Sequence, residues 1–389
     1  MARRELPRLA AAFAALGFFW GTWAVTAADV RRFLGVGYGR FGLLGSAAIA
    51  GGAAAAAAAG PIAERLGTTA GLSAAELAFG GLVVVAASAR WPVAFALLWV
   101  GAVGANGAVD VVMNVAATAA LGSEPGRLVR FHALFNAGAV VGAASSGAAI
   151  AAGQSWRWVW LAAGVAQLAV GLAVRRVELP AGVPGEQPSP WHAVTAIWRS
   201  RLVMLAIAFA CGAVAEGGLD TWGVLFLRSQ LAASVLVGAG AYVVGQALAT
   251  TGRITLGSSA GLLGGAGGAR AGAAVAFAGL LVLATAPAPA VAAAGLAVAA
   301  VGISLYWPLL LSEAAQGMPR PGLVVGGVTS AGYIGFLVGP TLVGFMSARL
   351  GLRAGVLTLA GAALVVAVAP ARGRRPLVRP DRVEPAEPL

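Results

Sequence analysis

Twelve apolar runs, each of about the length that crosses a lipid bilayer, limit what this chain can fold into more than any other feature. Read from arginine to arginine and from one Gly/Pro break to the next, they fall near residues 9–27, 41–59, 70–88, 93–121, 131–152, 158–174, 202–227, 234–252, 271–287, 289–311, 323–347 and 354–370. A spanning helix needs about 20 mainly apolar residues, so the spacing predicts an all-α integral membrane protein with twelve transmembrane helices. Pro287 and Pro289 in "TAPAPA" have to form the hairpin between two of them. Apolar residues make up 59% of the 389 and charged ones only 10%, a balance that ordinary water-soluble domains do not show.

The charges read as topology. All 26 basic residues are arginine, and they stand singly or in pairs between apolar runs, so a net charge of +12 does not make a nucleic-acid surface. With the amino terminus in the cytoplasm, eighteen of the 26 fall inside, among them Arg65, Arg127, Arg130, Arg253 and Arg270, and eight fall outside, among them Arg31, Arg32, Arg40 and Arg228. Positive residues accumulate on the cytoplasmic side, so both termini are expected there. The opening "MARRELPRLAAAFAALGFF" has the outline of a signal peptide, and Arg3-Arg4 that of a twin-arginine address. Its apolar part reaches spanning length and others follow, so it reads as an uncleaved first helix. The single cysteine, Cys211, lies in an apolar run and reads as a small buried hydrophobe.

The longest polar interruption, "RRVELPAGVPGEQPSPWHAVTAIWRSR", follows the sixth run. It divides the chain into an N-terminal six-helix bundle (1–174), a cytoplasmic linker (175–200), a C-terminal six-helix bundle (201–370) and a cytoplasmic tail (371–389) expected to be disordered. "LGTTAGL" at Leu66 and "LGSSAGL" at Leu256 stand after the second run of each half, the position that duplicated, pseudo-symmetric bundles would give.

The second and third runs are joined by "GPIAERLGTT": glycine, three residues, an acid, a basic residue, one residue, glycine. Gly60, Glu64, Arg65 and Gly67 match the signature loop of the major facilitator superfamily of secondary transporters, which the chain resembles over nearly its whole length; the further basic residues usual at the end of that loop are replaced by Thr68 and Thr69. "GFFWGTWA", "DVVMN", "RFHALFNAGAVVGA", "EGGLDTW" and "GYIGFLVGPTLVGF" resemble one bacterial, fucose-permease-like branch of mostly unassigned substrate. The resemblance implies that Glu64 and Arg65 bind neighbouring helix ends on the cytoplasmic side and help to hold an outward-open state. "TGRITLG", with Gly252 and Arg253, is a degenerate counterpart in the second half and lacks the acid.

Acids within the runs are few: Glu76, Asp110, Glu216 and Asp220. An ionised carboxylate in hydrocarbon costs at least about 3 kcal/mol, so each needs a partner, water or a proton. Asn106, Asp110 and Asn114 are spaced by four and form one stripe on the fourth helix. That stripe is expected to face a central cavity; the alternative is an interhelical hydrogen-bond network that only holds the bundle. Glu216 and Asp220 repeat the spacing on the seventh helix. Two acids on one face repel when both are ionised, which suits a proton-coupled carrier; a structural clamp of either acid with Arg228 is the equal alternative. His132 and Asn136 open the fifth helix, where a lone histidine is more often a hydrogen-bonder at a helix end than a relay. Trp20, Trp23, Trp222, Tyr306, Trp307 and Tyr333 could anchor at the interface or line a cavity; Trp222 and Tyr306 are the ones assigned to the cavity.

"GYGRFG" satisfies a dinucleotide-binding pattern but follows a membrane helix rather than a strand, so it is a chance match. Two histidines and one cysteine leave no ordinary metal site. No enzyme, cofactor or nucleic-acid partner is therefore expected. The expected protein is a monomeric carrier of the bacterial cytoplasmic membrane that moves a small solute, sugar-like or another small metabolite, by alternating access. Proton-coupled uptake is favoured over proton-driven export because the fifth run, "NAGAVVGAASSGAAIAAG", lacks the glycine-proline motif frequent in exporters. A non-transporting membrane sensor is the remaining alternative.

Overall fold

A computed structural model describes residues 5–121, 125–180, 195, 197–198, 202–257, 266–316, 318 and 321–370. Each apolar run has become a helix: α1 Leu6–Leu34, α2 Tyr38–Leu66, α3 Thr68–Ser88, α4 Pro92–Leu121, α5 Pro125–Ala151, α6 Trp156–Val174, α7 Val203–Gln230, α8 Val235–Gly257, α9 Ala266–Thr285, α10 Pro289–Ala315, α11 Pro321–Leu350 and α12 Leu352–Val368. Eleven are long and apolar enough to cross a membrane, and α12 has seventeen residues. Four of the twelve open on proline, which lacks only an N–H that the first turn leaves unpaired in any case. The α9–α10 hairpin turns at Pro287 and Pro289. Most of the linker and all of the tail, 371–389, lie outside the described residues, as does the second half of the "LGSSAGL" echo.

Several helices run further than the apolar runs, and at two of these places they carry ion-paired acids. α1 carries Asp29, Arg31 and Arg32 beyond residue 27, and α10 carries Glu313 beyond residue 311. Both acids are ion-paired to arginines of other helices, so apolarity ends before the helix does. Gly35 closes α1 at φ 66°, returning its N–H to Arg32 O, and Gly67 alone joins α2 to α3 at φ 86°. A left-handed backbone favours glycine at both positions.

Packing follows a rule of six. Within the first half α1 lies on α5, α2 on α4, α3 on α4 and on α6; in the second half α7 lies on α11, α8 on α10, α9 on α10 and on α12. Between halves, α2 meets α11 and α5 meets α8, again exchanged by adding six. The molecule is thus two pseudo-symmetric six-helix bundles related by a two-fold axis, as parallel repeats in a membrane require.

The bundles touch chiefly toward one face, opposite the one where α1 begins and α12 ends. There, a Cβ on Gly42 of α2 would stand 2.1 Å from Pro340 O of α11, so the two backbones are in direct contact. Beside them the Thr341 hydroxyl lies 2.7 Å from Ser46 Oγ. On the other flank Gly147 of α5 packs on Ala239 of α8. α4 and α10 make no extensive contact with the opposite bundle among the described residues. The face opposite the terminal one is closed.

Candidate functional site

A small cavity of about 30 Å³ lies where the bundles meet. α1 contributes Trp20 and Trp23, α2 Phe41, Gly42 and Gly45, α4 Trp99 and Val103, α7 Thr221 and Trp222, and α11 Pro340. Trp23 and Trp99 stack with centroids 4.7 Å apart and planes inclined by 22°, and Phe41 stacks on both. Trp222 closes the group edge-on to Phe41 at 5.7 Å. Aromatic pairs in these geometries are stabilised beyond their buried area, so the walls are preformed. Two indoles are tied down: Trp23 Nε1 donates to Thr221 Oγ1 across the bundles at 3.3 Å, and Trp20 Nε1 donates to Asn106 Oδ1 at 2.9 Å. The third is not. Trp222 is fully buried, and its Nε1 has no hydrogen-bond partner among the described residues.

Asn106 connects this cavity to the polar stripe. Asp110 follows one turn further along α4, about 6 Å away at the helical rise, and Asn114 Nδ2 donates to its Oδ1 at 3.0 Å and to its backbone O at 2.8 Å. Tyr333 of α11 lies within electrostatic range of Asp110 from the second bundle. Asn136 is buried and crosses the bundle boundary, its Nδ2 donating to Thr250 Oγ1 at 3.0 Å. His132 is exposed at the terminal face, edge-on to Phe13 at 5.1 Å.

Glu216 and Asp220 are brought together, but elsewhere. They line a separate small niche of about 30 Å³ inside the second bundle, between α7, α8 and α10, with Gln246 and Ser304. Gln246 Nε2 reaches Asp220 Oδ1 at 3.5 Å, and Tyr242 hydrogen-bonds with the same pair. Tyr306 donates its hydroxyl to Gly212 O at 2.8 Å within the second bundle, away from the aromatic cavity. Arg65 is exposed at the end of α2, and Gly252 lies beside Ser304. Gly60 lies within α2, and the side chains of Glu64 and Arg253 lie outside what the structure describes.

Arg228 does not clamp Glu216 or Asp220. It crosses from α7 to α1, holding the Asp29 carboxylate through both terminal nitrogens and donating to Val25 O at 2.9 Å. The side chains of this pair are only 10% and 12% exposed, so it is a half-sequestered bridge at the closed face. Inside the second bundle Arg270 pairs with Glu313 and donates to Ala369 O and Pro370 O, tying α9 and α10 to the end of α12.

A two-fold pair of six-helix bundles with a cavity at their meeting surface defines a membrane transporter rather than an enzyme. The chain belongs to the major facilitator superfamily, whose sequence profile matches residues 9–321. It is 26% identical over 347 residues to an uncharacterised MFS-type transporter of Yersinia pestis, covering 87% of this chain and 88% of that one. Among solved structures it is similar in fold to the nucleoside transporter NupG (TM-score 0.75, 14% identity, 93% of this chain and 98% of the other). The D-xylose-proton symporter gives 0.70 at 14% identity over 93% and 96%. The E. coli fucose:proton symporter FucP gives 0.59 at 17% identity over 92% and 97%.

Proposed function

We propose that this transporter takes up a small, ring-bearing solute, sugar-like or another small metabolite, with a proton, across the bacterial cytoplasmic membrane by alternating access. The observation that carries this reading is the partnerless Trp222 indole in a cavity walled by stacked rings. As the cavity opens during the cycle, a flat or pyranose-like face would lie against the aromatic wall of Trp23, Phe41 and Trp99, and an acceptor oxygen of the solute would satisfy Trp222 Nε1, which otherwise bears the cost of a buried unpaired donor. Asp110 takes the proton. It senses the cavity through Asn106 and Trp20, which lie one turn away on the same wall. Glu216 and Asp220 form a second titrating pair, Asn136 and His132 belong to the path or its walls, and Tyr306 braces the second bundle.

In the cycle, bundles 1–174 and 201–370 rock about the cavity while the cytoplasmic linker 175–200 joins them, with both termini cytoplasmic and the protein acting as a monomer. The closed face described above is then the outer one, and Gly60, Glu64, Arg65 and Gly67, with Gly252 and Arg253, act at the inner face. FucP and the xylose carrier are both proton symporters, which favours proton coupling over sodium. The test is proton movement in proteoliposomes while sugars, polyols and small acids are added singly. Alkalinisation of the medium with one compound is expected; silence over the panel from folded protein overturns uptake by symport.

A further inference from the structure

Directly above the aromatic cavity, at the closed face, lies a second opening of about 350 Å³ whose lining includes Arg31, Arg32, Tyr38 and Arg228. Three guanidinium groups line it, and two of them share one carboxylate. Asp29 accepts from both Arg228 and Arg32, while Arg31 donates to Val36 O at 3.1 Å, lies 4.4 Å above the Tyr38 ring and leaves its buried Nε without a partner. Like charges held together in a partly enclosed space repel unless a counter-charge joins them, and the niche carries two positive charges in excess. It belongs to α1, α2, α7 and α8, the helices around the two-fold axis, and not to the lipid-facing rim. Tyr38 lines it and also packs against Trp222 at 6.3 Å, so niche and cavity share a wall.

We propose that this niche is an anion-binding antechamber that takes the carboxylate or phosphate group of an entering solute, and that the anion competes with Asp29 for Arg228 and so releases the bridge between α1 and α7. Arginine suits both parts, because its planar fork binds a carboxylate or a phosphate in the same bidentate manner. Arg31 and Arg32 supply the capture, and Arg228 supplies the release. The proposal deepens the transport reading by naming a charged group on the solute, but the binding itself requires no flux or gradient.

The test uses the full chain in nanodiscs of phosphatidylcholine, with inorganic phosphate as the soluble probe. Spin labels are placed at Gln154→Cys and Thr285→Cys, exposed positions on the closed face of the two bundles, in a Cys211→Ala background. Phosphate is expected to convert a short distance into a longer one in a saturable manner. Arg31→Gln with Arg32→Gln should leave the short distance in place and raise the half-saturating phosphate concentration at least about tenfold, whereas Asp29→Asn should give the longer distance without phosphate. A shift produced by phosphatidylglycerol and not by phosphate would make a lipid headgroup the source of the same chemistry. No shift with either anion overturns the proposal, as does an unaltered phosphate response in the Arg31/Arg32 variant. A short distance that persists in Asp29→Asn refutes the release step. Because no transport is measured, these failures are separate from a failure of the uptake assay.

Discussion

Adding one methyl group at Gly42 should force the closed face open. The Cβ of Gly42→Ala would fall 2.1 Å from Pro340 O, and its other near neighbours also belong to α11 of the opposite bundle. An ordinary carbon–oxygen contact is about 3.3 Å, so α2 and α11 would have to separate by about 1.2 Å or bend. Overpacking of this kind costs about 1–3 kcal/mol, and the penalty vanishes when the bundles part. The population with this face open should therefore rise about 5- to 150-fold. The assay places a cysteine at Ala48, which lines the cavity, in the Cys211→Ala background, and follows labelling of cells by an impermeant maleimide. A control separates opening from damage: Gly138→Ala puts a Cβ 2.0 Å from Ala14 O inside the first bundle. It should lower thermal stability and leave labelling unchanged. If folded Gly42→Ala labels no faster than its parent, the α2–α11 seam does not hold the face shut.

The remaining predictions are shorter. Asp110→Asn should abolish gradient-driven accumulation while sparing solute exchange; full accumulation would remove Asp110 from coupling. Trp222→Phe keeps the ring and deletes the free donor, so half-saturation for transport should rise by about tenfold, with maximal rate less affected; an unchanged half-saturation would mean that the indole N–H meets no solute. Glu313→Gln strands the buried Arg270 guanidinium, and with Ala369 O and Pro370 O still in place the loss should sit near the low end of broken buried pairs, about 3 kcal/mol. An unchanged melting temperature in detergent would show that pair to be dispensable.

Much of the architecture was legible because a bilayer demands long apolar runs, and twelve of them stand between arginines. Helix ends were less so: Asp29 and Glu313 lie past the apolar stretch but within α1 and α10, since ion pairs let the helices continue. The bridge of Arg228 to Asp29 spans 199 positions, and no local pattern announces it; within reach along the chain, Glu216 and Asp220 were the natural partners. The aromatic box draws on four helices. Phe41 and Trp99 carry no mark in their own neighbourhoods, and Trp23 is indistinguishable in sequence from an interfacial anchor. By contrast the α4 stripe was readable, because a four-residue spacing in an otherwise apolar helix fixes a face by itself.

Adding six takes α1, α2 and α4, which wall the indole pocket together with α7 and α11, to α7, α8 and α10, which wall the pocket of Glu216, Asp220 and Gln246. Equal scaffolds thus hold unequal side chains, stacked rings in one pocket and carboxylates in the other. On the function proposed above, exchanging the rings would change the solute and leave those carboxylates untouched.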